Sequence, residues 1–444
     1  ECPLPPLERR IVSLSMSSHE CMTYNVLQSL IMLNAAISQE KGKDYFFHTG
    51  NKKALASVME NLAMACFHFA GFGFLRQVQR AHNHIMQQLN KPHGVAEQFK
   101  QQAVEALHQI SVALQDQTWC EHVQQGDVLY KAEHPKERLL LAWSRRGSVW
   151  LTSEELLLLR NEYHKKAAHV LDAKGLFEEL LKCGIQNKHR KTGCTVSSAT
   201  HRSPKTISTP KRKPFLNELP SRMSSLPTAF EDVFVHTSTS TKLNAILQEI
   251  LEAVPDEKVL VFSTLHQVLN ELANALELCK VPFLFYVSGM PQHLRNTYVN
   301  AFMHKSQFRC LLMSTAIGGS GLDLHCASRI ILAEPIWQWD LESQAVKRAW
   351  RIGQTRRVLV STYVMRHTYE ERLIERKKAR FLDGTDAAEQ VQTMTDDPGM
   401  REFLARPHLV QAPSKKREIA WTRTLLGTPA KHSFVHASKR ARHT

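Results

Sequence analysis

The sequence predicts an α/β domain built on a parallel sheet with helices on both faces, set in a chain that is otherwise mainly helical. Two observations carry this. Between residues 236 and 384, short runs that are apolar at every position, such as Val259-Leu260-Val261-Phe262 and Cys310-Leu311-Leu312-Met313, alternate with stretches of helical periodicity. Strands without a polar face have to be covered on both sides, which is the condition of a doubly wound parallel sheet.

Taken in order, residues 1–75 read as helical from about residue 10. Leu55, Val58, Met59, Leu62 and Cys66 recur at helical spacing, and the cluster Phe67, Phe69, Phe72, Phe74 follows in glycine-punctuated chain. Core packing is the expected role of both. The helical pattern continues over 76–183, with a start signal at Thr152-Ser153-Glu154-Glu155. Residues 184–235 are basic and rich in Ser, Thr and Pro, a linker composition that cannot bury a core. Within them Thr209-Pro210-Lys211-Arg212-Lys213-Pro214 suits either a nuclear import signal or a phosphate-backbone contact, a solvated link being the equal alternative. The tail, 385–444, repeats this character at Lys415-Lys416-Arg417 and Ser438-Lys439-Arg440-Ala441-Arg442.

Between linker and tail the spacing predicts strands at Lys258–Ser263, Phe283–Val287, Cys310–Met313, Arg329–Leu332 and Val358–Val364. Helices are predicted over Leu265–Leu276, His293–Met303 and Leu341–Trp350, with a last one from Tyr369. Ligands of such sheets bind beyond the carboxyl ends of the strands, where Ser263, Ser314-Thr315 and Glu334 fall.

At 444 residues and 43% hydrophobic content the chain can hold two or three domains with buried cores. A net charge of +15 points to an anionic partner, nucleic acid before an acidic membrane surface. Nine cysteines without a C-x-x-C pair encode neither a zinc ribbon nor a RING module, and the loose set Cys183, His189, Cys194 is read as free thiols and a histidine in a basic linker rather than a metal site. No apolar run approaches the roughly 18 residues needed to span a bilayer, so cytosol or nucleus is expected. The chain opens on Glu1 rather than Met, the expectation being a piece of something longer.

Chemistry concentrates in two stretches. Gly318-Gly319-Ser320-Gly321, just after a predicted strand, is a loop in which bare amides can face an anion. Twenty-odd residues on, Gln344, Arg348 and Arg351 lie on one predicted helix, where two arginines three apart can present their guanidinium forks from one face to a phosphoryl group.

With Phe262-Ser263, Ser314 to Leu324, and Gln344 to Gln354 ending in Arg-Ile-Gly-Gln, residues 240–380 resemble the second RecA-like lobe of the Swi/Snf-related DNA-dependent ATPases of helicase superfamily two. Residues 3–12 resemble the family's chain as it leaves the first lobe. The resemblance implies that Arg348 and Arg351 are arginine fingers for ATP hydrolysis, and that Gln344, Gly319, Gly321 and Asp323 serve the nucleotide side, Asp323 as a ribose contact. It implies nucleic-acid contacts for Ser263, Ser314, Thr315 and Gly318, and it leaves open whether Lys242 of the family's Ser-x-Lys-Leu entry binds anything. The partners implied are double-stranded DNA or a nucleosome and the first ATPase lobe of the same polypeptide, in the nucleus, with ATP and Mg²⁺ held mainly by that first lobe.

Two departures stand out. Ser288-Gly289-Met290 replaces the family's Asp-Gly-Ser, and Glu334-Pro335-Ile336-Trp337-Gln338-Trp339 replaces its Asp-x-x-Trp-Asn-Pro. Neither a G-x-x-x-x-G-K-[ST] loop nor a D-E-x-H box occurs, so these residues by themselves are expected neither to hold ATP tightly nor to hydrolyse it. The two remaining readings are the C-terminal part of an ATP-dependent DNA translocase and a catalytically inactive nucleic-acid-binding or scaffold protein; an RNA helicase of the same superfamily is disfavoured by the terminal Arg-Ile-Gly-Gln.

Overall fold

The structure, a computed structural model, describes residues 4–38, 51–69, 73–91, 95, 97–170, 172–185, 230–315, 321–382, 394, 397–405, 408–412 and 419–426. Outside them lie Phe72, His189, Cys194, the cations of the linker, the Thr209–Pro214 motif, the basic clusters of the tail, and Gly318, Gly319 and Ser320 of the glycine loop.

The chain opens with strand β1 (Leu7–Leu14) and helices α1 (Ser18–Ser38), α2 (Lys52–Ala65), α3 (Phe74–Leu89), α4 (Glu97–Gln115) and α5 (Gln117–Gln125). There follow β2 (Leu129–Glu133), α6 (Arg138–Trp143), β3 (Trp150–Thr152), α7 (Ser153–Ala167), α8 (Ala173–Cys183) and β4 (Phe234–Ser238). Strand and helix then alternate through α9 (Thr241–Ala253), β5 (Val259–Ser263), α10 (His266–Leu278), β6 (Phe283–Tyr286), α11 (Gln292–His304), β7 (Cys310–Ser314), β8 (Arg329–Leu332), α12 (Trp339–Lys347), β9 (Val358–Met365) and α13 (Tyr369–Leu382). Last come α14 (Pro398–Ala405) and β10 (Arg423–Thr424).

Two compact units divide this chain, one within 1–128, 238–276 and 281–420, the other within 129–237, 277–280 and 421–444. The first holds a six-stranded sheet of order β1-β9-β8-β5-β7-β6 in which every pair runs parallel. Its central strands β5 and β7 are buried at all five positions, as their uninterrupted apolar sequence requires. On one face Leu260, Phe262, Leu311, Met313, Ile330 and Leu332 pack with Phe302 of α11 and with Val346 and Ala349. That packing fixes where the end of α12 lies against the sheet.

The start of the chain departs from expectation. Residues 7–14 form an edge strand, paired in register with β9 from Leu7↔Val358 to Leu14↔Met365, where a helix was predicted from about residue 10. Glu8, Arg9, Arg10 and Ile11 are exposed on it, so the charges that suit a sheet edge mask the apolar run that marks a central strand. The strand is tied inward by Glu249 of α9, which accepts hydrogen bonds from Ser361 Oγ at 2.7 Å and Tyr363 OH at 2.5 Å of β9. The same carboxylate meets Arg10 of β1 at 2.9 Å and Arg329 of β8 at 3.2 Å.

The apolar stripe of α2 is buried as predicted at Leu55, Met59 and Leu62, and Cys66 just beyond the helix is buried with it. In the second unit, β10-β4-β2-β3 form a small sheet whose assigned pairs β10–β4 and β2–β3 are antiparallel. Strands β2 and β3 therefore interrupt a region that reads as helical throughout. The predicted start signal of α7 is a closed capping box: Thr152 Oγ1 accepts from Glu155 N at 3.2 Å and Glu155 Oε2 from Thr152 N at 2.8 Å.

Candidate functional site at the carboxyl edge of the sheet

Strands β5 and β7 end together, Ser263 paired with Ser314, and Thr315 N donates to Ser263 O at 3.1 Å. All three side chains are buried. Ser263 Oγ lies 3.0 and 2.9 Å from the two carboxylate oxygens of Glu334, the second residue after β8, and Thr264 donates to Glu334 Oε1 from its amide and, at 2.8 Å, its hydroxyl. Burial pushes the Glu334 carboxyl above its ordinary range, opposed by the Thr264 bonds and by Lys242. Of the residues expected at a nucleic-acid interface, Ser263 thus has its hydroxyl turned inward onto Glu334, an acid the sequence placed at the same sheet edge and marked as a family departure.

The arginines sit differently from the prediction. Helix α12 stops at Lys347, Arg348 is its C-cap and Arg351 lies beyond it, so the two do not share a helical face. The chain turns instead through Gly353, whose φ of +99° is the left-handed region. Gln354 secures the turn: its Nε2 donates to Ala327 O at 2.7 Å and Ala349 O at 3.2 Å, and its Oε1 accepts from Thr355 N and Arg356 N at 3.0 and 2.9 Å. Sequence reasoning quoted this glutamine as the end of a motif and gave it no role.

Arg348 is 6% exposed, its guanidinium 5.9 Å from the centroid of the Phe262 ring. Burial lowers its pKa, with Tyr286 opposing; an arginine so placed stays charged. Arg351 is more open, with 41% of its side chain exposed and Nε 3.6 Å from Asp323 Oδ1. Asp323 also takes the His325 ring, Nδ1 to Oδ1 at 2.8 Å. Partial burial acts to raise the Asp323 pKa, but the His325 hydrogen bonds and the Arg351 charge hold it below the ordinary aspartate value.

The structure thus brings Arg351 to Asp323 and leaves Gln344 exposed on α12. A Cβ built on Gly321 would meet nothing within 4 Å, so this end of the glycine loop is open to a close approach. Lys242 does have a partner: its Nζ lies 2.6 and 2.8 Å from the Glu370 carboxylate, and both side chains are buried. Among the described residues no group of three or more His, Cys, Asp or Glu is placed to hold a metal ion, and no helix is long and apolar enough to cross a membrane.

Residues 241–353 match the helicase conserved C-terminal domain. The chain is 33% identical over 172 residues to DNA repair protein rad8 of Schizosaccharomyces pombe, a match covering 37% of this chain and 15% of that protein. It is 29% identical over 173 residues to ATP-dependent helicase ULS1 of Saccharomyces cerevisiae, 37% of this chain and 10% of that one. The matched region is thus a small part of each of these relatives. Among solved structures, the C-terminal part of the Fun30 ATPase domain is 16% identical with a TM-score of 0.44, covering 91% of this chain and 99% of that one. The segment carried by the parallel sheet thus matches the helicase conserved C-terminal domain, and the sequence relatives include DNA repair proteins and ATP-dependent helicases.

Proposed function

We propose that this chain is the C-terminal part of an ATP-dependent DNA translocase acting in DNA repair or chromatin remodelling in the nucleus. Its lobe supplies Arg348 and Arg351 to the phosphates of an ATP whose Mg²⁺ and phosphate cradle belong mainly to a first ATPase lobe of the same polypeptide. The observation that carries the reading is the placement of Arg351 in a turn beyond α12, half exposed, on a loop register fixed by Gln354. A guanidinium held at the rim of a sheet edge can reach a charge on a facing surface, and its planar fork matches phosphoryl oxygens. Arg348, buried over Phe262, would act from within the edge. Gly318, Gly319 and Gly321 would serve a close approach to nucleotide and phosphate backbone, and Ser263, Ser314 and Thr315 the nucleic-acid side.

The DNA-repair names of several relatives, among them an excision repair protein of Oryza sativa, and the net charge of +15 support duplex DNA, free or on a nucleosome, as the partner. The test uses the intact protein. Arg351→Ala or Arg348→Ala should lower DNA-stimulated ATP turnover roughly 10³-fold or more while DNA affinity stays nearly unchanged, since a finger acts mainly in the transition state. Equal loss of turnover and DNA binding in both variants would refute the finger assignment. An intact protein that binds DNA but never hydrolyses ATP would favour the scaffold reading.

A further inference from the structure

We propose that Asp323 and His325 are positioning residues for Arg351, an assignment that rests on the finger reading above. The atom of Arg351 nearest the acid is Nε, 3.6 Å from Asp323 Oδ1. An ion pair at that distance, longer than a hydrogen bond, draws the guanidinium to the acid by charge from its stem side and leaves the Nη donors available to a phosphate. The acid is itself oriented by His325, whose Nδ1 lies 2.8 Å and whose backbone N lies 3.3 Å from the same Oδ1. A carboxylate acceptor selects the Nδ1–H form of the ring.

The segment that carries the pair is locked to the turn that carries the arginine. Leu324 N donates to Arg348 O at 2.9 Å. The Gln354 amide bonds Ala327 O at 2.7 Å. A Cβ built on Gly353 would come within 3.5 Å of the His325 ring, so the imidazole lies directly beneath the turn. Backbone, amide and ring thus tie residues 323–327 to residues 348–354, and the Asp323–Arg351 pair is the charged contact in that tie. Such an arrangement sets direction rather than strength, because both side chains are part-exposed and an ion pair there contributes little to stability.

The experiment is a double-mutant cycle on the intact protein, with ATP and duplex DNA, comparing the parent with Asp323→Ala, Arg351→Ala and the double variant, each checked for unchanged circular dichroism and DNA binding. Asp323→Ala should lower kcat roughly tenfold to a hundredfold, as misplacing a catalytic group does, with KM for ATP nearly constant. The double variant should be no slower than Arg351→Ala alone, since the acid has nothing left to position. His325→Asn, which keeps a donor, should recover part of the kcat lost in His325→Ala; Asp323→Asn serves in place of the alanine variant if that one misfolds. A raised KM at unchanged kcat would make Asp323 a nucleotide contact and overturn the assignment, as would an equal loss from Asp323→Ala in the presence and absence of Arg351. If Arg351→Ala leaves turnover intact, the finger reading fails and this assignment fails with it; if only the Asp323 variants are silent, the finger reading stands alone.

Discussion

Replacing Lys242 by methionine should be far more damaging at neutral pH than in acid, and the size can be worked from the surroundings of its partner. The Glu370 carboxylate accepts from Lys242 Nζ at 2.6 and 2.8 Å and from Met365 N at 2.8 Å, and nothing of its side chain reaches solvent. Burial pushes its pKa above the ordinary 4.5, with the Lys242 charge opposing. Without the lysine, Glu370 escapes the burden of a lone buried charge by taking a proton. At pH 7 that costs at most about 3.4 kcal/mol, 2.5 units at 1.36 kcal/mol each, to which the lost hydrogen bonding adds about 1 kcal/mol. The total, about 4 kcal/mol, lies within the range for breaking buried ion pairs. At pH 5 the proton costs only about 0.7 kcal/mol, leaving a penalty of about 2 kcal/mol. The sign is that of an acid with a raised folded-state pKa: stability is fully present below the unfolded value and is lost as pH rises toward the folded one. Hydrogen exchange of the α9 and α13 amides at the two pH values, corrected for intrinsic rates, measures it. A penalty below 1 kcal/mol, or one that does not change with pH, would refute the reasoning, as would a Lys242→Met/Glu370→Leu double variant no better than the single.

Other outcomes follow from the same reasoning. His68 is buried and its pKa pushed down to about 3, chiefly by desolvation and secondly by His122, so the folded state resists a proton that the unfolded chain takes up near 6.5; the helical part of the first unit should lose stability as pH falls from about 6.5 toward 3, and His68→Phe should flatten that loss in acid unfolding followed by circular dichroism. Glu334→Gln keeps an acceptor for Thr264 and offers a donor to Ser263, and because burial raises the Glu334 pKa above the ordinary 4.5, its stability relative to the parent should improve as pH rises above that value, read by thermal unfolding; a constant difference would argue against a raised Glu334 pKa. Gly353→Ala puts a side chain at a φ of +99° and should cost about 1–2 kcal/mol while lowering turnover of the intact protein more than DNA binding.

How legible the fold was follows from what each strand buries. Strands β5 to β9 bury both faces, and an unbroken apolar run is a signal that one sequence can carry. The edge strand β1 carries charges and the strands of the second unit are only two to five residues long, so neither presents an unbroken apolar run to read. The lobe's arginines were found by spacing, but their environments were not: that Arg348 is enclosed over Phe262 and Arg351 is open beside Asp323 depends on where α12 stops, which Gln354 and Gly353 decide through contacts with Ala327 and His325. The inward turn of Ser263 was equally hidden, because Glu334 reaches it from 71 residues away.

Strand β1 and its tie to Glu249 bear on how this lobe can be handled. Homology marks residue 241 as the beginning of the conserved domain, yet the sheet's outer strand comes from residues 7–14, and eight paired positions join it to β9. An excised piece starting at 241 would bare Val358–Met365, a run buried at seven of its eight positions, as a new edge open to pairing with other chains. It would also strip Arg10 from Glu249, leaving that buried carboxylate one cation short. The physical domain is thus discontinuous in sequence, and a soluble version of the lobe needs its first strand supplied, whether in place or spliced ahead of α9.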